Sequence, residues 1–166
     1  MANIQPEFEN DHKVITIDAC QDNEFFQIDA INYKQVTINI NNVLNCKETY
    51  IKINILVSTV VEFKLVGNPT TGYNHKLVSF PLDSIVKLLK HYYTQKEHKK
   101  GMIGVGGIYT FEFLSVSTGK ATAKIEYARF FEQTPDPLSK IFIEFLVVDP
   151  VPEPTKEASI KTKINS

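Results

Sequence analysis

Apolar and polar residues alternate in six separate segments of this 166-residue chain, and this alternation limits the fold more than any other feature. Successive side chains of a β-strand point to opposite faces, so alternation with period two is typical of strands that bury one face. Many short strands separated by turn residues favour a β-sandwich, and we predict an all-β fold. The predicted strands lie at residues 36–40, 51–57, 61–65, 109–113, 121–127 and 141–147.

One stretch departs from this alternation. Over residues 81–93 the apolar residues recur at helical spacing, and Asp83 or Ser84 could serve as the N-cap. A polar run with His98 and three lysines follows it. We therefore predict a short helix and a mobile loop, inserted between strands at residues 81–100.

Composition suits one globular domain. Hydrophobic residues make up 43% of the chain and charged residues 22%, which are ordinary values for a globular protein. We predict a single domain at residues 13–149. Residues 1–12 are expected to be disordered or to derive from an expression vector. Residues 150–166, which combine three prolines with Lys, Ser and Thr, are expected to form a disordered tail.

The charge balance argues against one class of function. Lys and Arg number 18 against 19 Asp and Glu, which gives a formal net charge of -1. A protein that binds duplex nucleic acid needs a basic surface to neutralise phosphates. No apolar run approaches the roughly 20 residues of a membrane span, and the start of the chain lacks the apolar core of a signal peptide. We expect neither nucleic acid nor membrane as a partner.

The sequence does not indicate a catalytic site. A cysteine hydrolase would need Cys20 or Cys46 beside a histidine, and neither cysteine lies in a recognisable nucleophile motif. The His, Cys, Asp and Glu residues show no spacing typical of metal ligands. The glycine-rich residues 104–107 lack the Gly-Lys-Ser/Thr ending of a phosphate loop. We therefore predict no enzyme activity, no metal and no cofactor.

Three segments between strand patterns carry most of the information on function. The first, Asn-Pro-Thr-Thr-Gly-Tyr at residues 68–73, contains the proline and glycine of a rigid, shaped loop. In the second, glycines at residues 104–107 follow Met102 and Ile103, apolar residues with no strand partner. The third begins with Arg129, the only arginine of the chain, and two phenylalanines follow it, a composition typical of binding hot spots. In a sandwich of the immunoglobulin type, such loops meet at one end.

The order and spacing of these three segments resemble the chagasin family of protein inhibitors of papain-like cysteine proteases. The resemblance covers roughly residues 49–148 and leaves residues 1–48 unexplained. It implies an immunoglobulin-like β-sandwich whose three end loops form a wedge across the active-site cleft of the protease. Inhibition would then be tight, reversible and competitive, and the partner would be a cathepsin L-like or falcipain-like enzyme. The N-terminal extension and the insertion are more similar to the malaria-parasite members than to the compact prototype.

The resemblance also implies a role for the first two segments. Residues 68–73, hereafter the central loop, would place Thr70 and Thr71 against the catalytic Cys and His of the protease. Residues 104–107, the glycine-rich segment, would run along the non-primed side of the cleft much as an extended substrate does. Met102 or Ile103 would then lie near the apolar S2 pocket.

On the primed side, the resemblance implies that the aromatic residue at Phe131 stacks on a tryptophan of the enzyme. The family's usual Arg-Pro-Trp or Arg-Pro-Phe reads Arg129-Phe130-Phe131 here, so the proline is absent and Phe130 is an alternative contact. We call residues 129–131 the third segment. The predicted protease-binding residues are Asn68, Pro69, Thr70, Thr71, Gly72, Tyr73, Met102, Ile103, Gly104, Val105, Gly106, Gly107, Arg129, Phe130 and Phe131.

An alternative stays open at this point. Each segment taken alone is compatible with an ordinary turn, and the chain would then be an immunoglobulin-like adhesion or scaffold module with a non-protease partner. The sequence does not identify the physiological protease, and it leaves open whether Cys20 and Cys46 pair. The location that the family implies is secreted or endolysosomal, within the secretory pathway.

Overall fold

The computed structural model of the protein describes residues 11–19, 24–45, 47–80, 84–95 and 106–150. Short 3-10 turns lie at Val43–Asn45 and Pro69–Thr71. The strands of these ranges are β1 His12–Asp18, β2 Glu24–Asp29, β3 Gln35–Asn41, β4 Glu48–Leu56, β5 Val60–Gly67, β6 Asn74–Ser79, β7 Val86–Gln95, β8 Gly107–Ser115, β9 Gly119–Ala128 and β10 Ser139–Val148.

The strands form two five-stranded sheets that pack on each other as a sandwich. The first sheet has the order β1-β3-β5-β8-β7 and the second β2-β4-β10-β9-β6. The inward residues of the alternating segments fill the space between them. Phe63 of the first sheet meets Phe145 of the second edge-on, with ring centroids 6.2 Å apart, and both are fully buried. Burial of each such side chain stabilises the fold by roughly 1.5–3 kcal/mol. The all-β prediction is confirmed, and the six predicted strands are β3, β4, β5, β8, β9 and β10.

The helix predicted within residues 81–93 is wrong, because residues 86–93 belong to strand β7, which pairs antiparallel with β8. A β-bulge between Leu88 and Lys90 shifts the register. Leu88 packs against the core before the bulge and Tyr93 packs against it after the bulge, so the inward positions change from even to odd numbers. Because of this shift, the apolar residues of β7 recur at a spacing similar to that of a helix, which explains the wrong prediction.

Other predictions fall on residues that the structure leaves undescribed. Residues 81–83 and 96–100 of the proposed insertion, including the loop with His98, lie outside the described ranges, as do Cys20 and Cys46. The same is true of most of the two segments that we predicted to be disordered at the ends of the chain.

Strand pairing brings the three segments to one end of the sandwich. The central loop joins β5 of the first sheet to β6 of the second. Gly107, which ends the glycine-rich segment and starts β8, pairs with Gly67 at the end of β5. Ala128, which precedes the third segment at the end of β9, pairs with Asn74 at the start of β6. We call this end of the molecule the loop edge.

Candidate functional site

The central loop is a closed 3-10 turn that its own hydrogen bonds hold. The side-chain Oδ1 of Asn68 accepts from the Thr70 amide at 3.1 Å and from the Thr70 hydroxyl at 2.7 Å. The Thr71 hydroxyl donates to the Asn68 carbonyl at 2.7 Å. The Gly72 amide donates to the Pro69 carbonyl at 3.0 Å. Because these polar groups are satisfied within the loop, its conformation is set before a partner arrives.

Gly72 lets the chain leave this turn and lets the third segment approach it. Its φ is 90°, in the left-handed region that favours glycine. A Cβ atom at this position would lie 3.2 Å from the Phe131 ring and 3.4 Å from Arg129 Nε. A side chain here would therefore strain the backbone and crowd its neighbours.

Arg129 ties the third segment to the central loop. Its Nη2 donates to the Thr71 carbonyl at 3.2 Å, and its guanidinium carbon lies 4.9 Å from the centre of the Tyr73 ring. Its Nη1 lies 3.8 Å from the Glu132 carboxylate. A planar cation with several donors can make these contacts together, which a lysine ammonium could not. These contacts, which we call the Arg129 brace, hold the third segment against the central loop within the protein itself.

The two phenylalanines of the third segment have different surroundings. Phe131 is 74% exposed, more than any other large apolar side chain of the described residues. Phe130 is half-buried, and the ammonium of Lys76 on β6 lies 5.2 Å from the centre of its ring. Phe131 is therefore the aromatic ring available to a partner. Contacts with β6 and the Arg129 brace hold the segment in the absence of the family's usual proline.

The glycine-rich segment is described only at its end, where it lies against the central loop. A Cβ atom on Gly106 would lie 2.5 Å from the Gly67 carbonyl oxygen, and one on Gly107 would collide with the Thr94 carbonyl oxygen. The glycines thus allow three backbones to approach one another closely. The predicted site residues outside the described ranges are Met102, Ile103, Gly104 and Val105.

An aromatic cluster that we did not predict from the sequence lies beneath the central loop. Tyr73 stacks on Tyr127 with ring centroids 5.4 Å apart. The His75 ring lies 4.3 Å from that of Tyr127 and 5.0 Å from that of Tyr109. Alternation in β8 and β9 does indicate that both tyrosines point inward. It does not indicate that they meet a histidine at the foot of the loop.

His75 is neutral in this cluster. It is 6% exposed, and its Nε2 lies 2.9 Å from the Val66 carbonyl. Because a carbonyl can only accept, Nε2 must carry the proton. Burial lowers the pKa of His75 to about 4, although the hydrogen bond to Val66 acts in the opposite direction. Burial, with smaller contributions from Tyr127 and Tyr93, raises the pKa of Tyr109 to about 12, so this hydroxyl also stays neutral.

The described part of the loop edge presents groups that can dock against a partner. Its exposed side chains include the threonine hydroxyls of the central loop, the Phe131 ring and the Glu132 carboxylate, whereas His75 is buried. Within the described ranges, no group of three or more His, Cys, Asp or Glu residues could hold a metal ion. No helix in those ranges is long and apolar enough to cross a membrane.

Two of the solved structures that share the fold come from proteins linked to proteases. The crystal structure of the cysteine protease inhibitor EhICP2 from Entamoeba histolytica superposes with a TM-score of 0.52 at 17% identity, covering 82% of this chain and 97% of that one. PbICP-C in its complex with falcipain-2 superposes with a TM-score of 0.50 at 18% identity, covering 68% and 98%. At such identities the likeness shows the fold alone.

Comparison of sequences shows the family as well as the fold. Amoebiasin-2 from Entamoeba histolytica is 26% identical over 100 residues, which are 60% of this chain and 80% of that protein. Residues 54–145 match the family model described as chagasin family peptidase inhibitor I42. The match spans more than half of the chain and includes the central loop and the third segment. The resemblance found in the sequence is thereby confirmed, and the chain belongs to the chagasin family of peptidase inhibitors, whose members are inhibitors and not enzymes.

Proposed function

We propose that this protein inhibits papain-like cysteine proteases tightly, reversibly and competitively, by laying the loop edge across the active-site cleft. One observation carries the proposal. The central loop is closed by its own hydrogen bonds and presents Thr70 and Thr71 at an exposed tip, beside the exposed ring of Phe131. Such a tip has the shape and chemistry to enter a cleft and block it.

The carbonyl groups of the central loop explain how it would resist cleavage. A cysteine protease attacks a carbonyl whose oxygen is free to enter the enzyme's oxyanion hole. The Asn68 carbonyl accepts from Thr71, and the Pro69 carbonyl accepts from the Gly72 amide. The Thr71 carbonyl accepts from Arg129. In our proposal, the hydrogen bonds that fix the orientation of these three carbonyls disfavour the geometry of attack, so the loop would occlude the nucleophile without reacting.

The neighbouring structures agree with this partner class. EhICP2 is a cysteine protease inhibitor, and PbICP-C was solved in complex with falcipain-2. A falcipain-like or cathepsin L-like protease is therefore the partner that we propose for this chain. The corresponding place of action would be a secretory or endolysosomal compartment, or the medium after release.

A rigid loop edge also supports tight binding. A standard protein–protein interface buries roughly 1,600 Å² in total, and complexes of proteases with inhibitors are among the tightest of that size. Loops that are already ordered lose little conformational entropy on docking. In our proposal the glycine-rich segment, with Met102 or Ile103 near the S2 pocket, completes the interface on the non-primed side.

The direct test is a titration of active papain and of a cathepsin L-type protease with this protein. The remaining enzyme activity is measured with a fluorogenic peptide substrate. We expect stoichiometric and reversible loss of activity, overcome by excess substrate, with the inhibitor recovered uncleaved. A folded sample that left both enzymes active, or that was cleaved within the central loop, would contradict the proposal.

Phe131→Ala should weaken inhibition through loss of the primed-side anchor. Truncation of an aromatic hot spot typically costs about 2 kcal/mol, which corresponds to roughly a 30-fold higher inhibition constant. Phe25→Ala is the matched control, because Phe25 is also an exposed phenylalanine, at 60%, but lies on β2, at the opposite margin of the second sheet from β6. If Phe130→Ala weakened inhibition more than Phe131→Ala, our assignment of the aromatic contact would be off by one residue.

A further inference from the structure

The central loop is held at both ends by tyrosine hydroxyls that come from different sheets. At its start, the Asn68 amide donates to the hydroxyl oxygen of Tyr127, on β9, at 3.1 Å. Just after its end, the Tyr109 hydroxyl, on β8, donates to Oδ1 of Asn74 at 2.6 Å. The two hydroxyls therefore set where the chain enters and leaves the loop.

His75 fills the space between these two tyrosines. Its ring contacts both of theirs, and its Nε2–H donates to the Val66 carbonyl one residue before the last position of β5. Since β5 leads into the loop and β6, which carries His75, leads out of it, this hydrogen bond links the two strands that flank the loop. This hydrogen bond fixes the orientation of the His75 ring.

We propose that His75, Tyr109 and Tyr127 form a clamp that positions the central loop for docking. This inference rests on the proposed inhibitory function and adds positioning residues that need not touch the protease. The clamp would act by keeping the loop in its docking conformation in the free protein. Its loss would make the loop more mobile and so increase the entropy that binding must overcome.

The experiment removes one hydroxyl at a time while keeping each aromatic ring. Tyr127→Phe and Tyr109→Phe should each raise the inhibition constant for papain about tenfold, the upper end of what the loss of one partly buried hydrogen bond costs. Tyr50→Phe is the matched control, because that hydroxyl bonds Glu48 within its own strand, β4, which β10 separates from β9 and β6. Inhibition should not change in this variant. Backbone ¹⁵N order parameters should fall at Thr70 and Gly72 in the clamp variants alone.

The two readouts separate the clamp from the inhibitory function. Reduced order of the central loop in both clamp variants, with unchanged order elsewhere, supports the clamp even if the parent protein does not inhibit papain. Unchanged loop order overturns the clamp, whatever the parent does to the enzyme. A general loss of order or of cooperative unfolding would show that the hydroxyls serve the core as a whole, and it would overturn the positioning role.

The ring orientation of His75 gives a separate check. In the parent protein at neutral pH, the ¹⁵N chemical shifts of His75 should identify the neutral Nε2–H tautomer. The Nδ1–H tautomer would be incompatible with donation to the Val66 carbonyl, as the clamp requires. A charged ring would keep that donor and would instead contradict the burial of His75 between the two tyrosines.

Discussion

Thr71→Glu is expected to raise the inhibition constant for papain by at least about 100-fold, since an unpaired charge would be buried in a desolvated cleft. The change also removes the Thr71 hydroxyl, which donates to the Asn68 carbonyl and accepts from the Tyr73 amide at 3.4 Å. The substitution therefore acts on the loop's shape as well as on its charge. The measurement is a titration of enzyme activity at fixed substrate concentration.

The matched control for this variant is Thr118→Glu. Thr118 is exposed in the turn between β8 and β9, at the end of the sandwich opposite the loop edge. It introduces the same charge and should leave inhibition unchanged. If Thr71→Glu inhibited as well as the parent, the central loop could not be the part of the protein that enters the cleft.

The second large expected effect is a loss of folding stability in mild acid, caused by His75. The pKa of His75 is about 4 in the folded protein and 6.5 in the unfolded chain, so the unfolded chain binds more protons between these values. Stability must then fall as the pH drops through this window. From pH 7 to pH 5 the contribution of this one group amounts to a loss of about 2 kcal/mol in the free energy of unfolding.

Urea unfolding of the parent and of His75→Phe at both pH values would measure this contribution. The variant removes the titrating group and keeps a ring between Tyr109 and Tyr127. Its stability should therefore decrease by about 2 kcal/mol less than that of the parent over the same interval. Equal decreases in the two proteins would mean that His75 titrates as it does in the unfolded chain, and that the ring is not buried as described.

Strands with a strong contrast between their faces could be predicted from the sequence. In β4, buried and half-exposed residues alternate without a break over nine positions. Strand β1 could not be predicted so readily, because Val14 on its outer face is 55% exposed and apolar, which hides the pattern made by Ile17. In β7 the bulge changed the period itself. Alternation thus predicts central strands better than edge strands.

In the candidate site, contacts between residues close in sequence could likewise be predicted, whereas contacts between distant residues could not. The shape of the central loop follows from residues adjacent in sequence, and its motif indicated a rigid loop. The Arg129 brace spans 58 residues, and the hydrogen bond from Asn68 to Tyr127 spans 59. Only the pairing of strands in three dimensions brings such groups together. The sequence therefore predicted which segments meet, but not which side chains join them.

The bulges in two outer strands bear on how the protein behaves at high concentration. Strands β6 and β7 are the outermost strands of their sheets, and each carries a register shift, after Leu77 and after Leu88 respectively. A regular outer strand exposes a row of amide and carbonyl groups on which a strand from another molecule can add, which starts aggregation. A bulge interrupts that row and twists it. Lys87 and Lys90 place charge along β7 as well. Two of the four outer margins of the sandwich, those next to the central loop and β8, are thereby protected against strand addition.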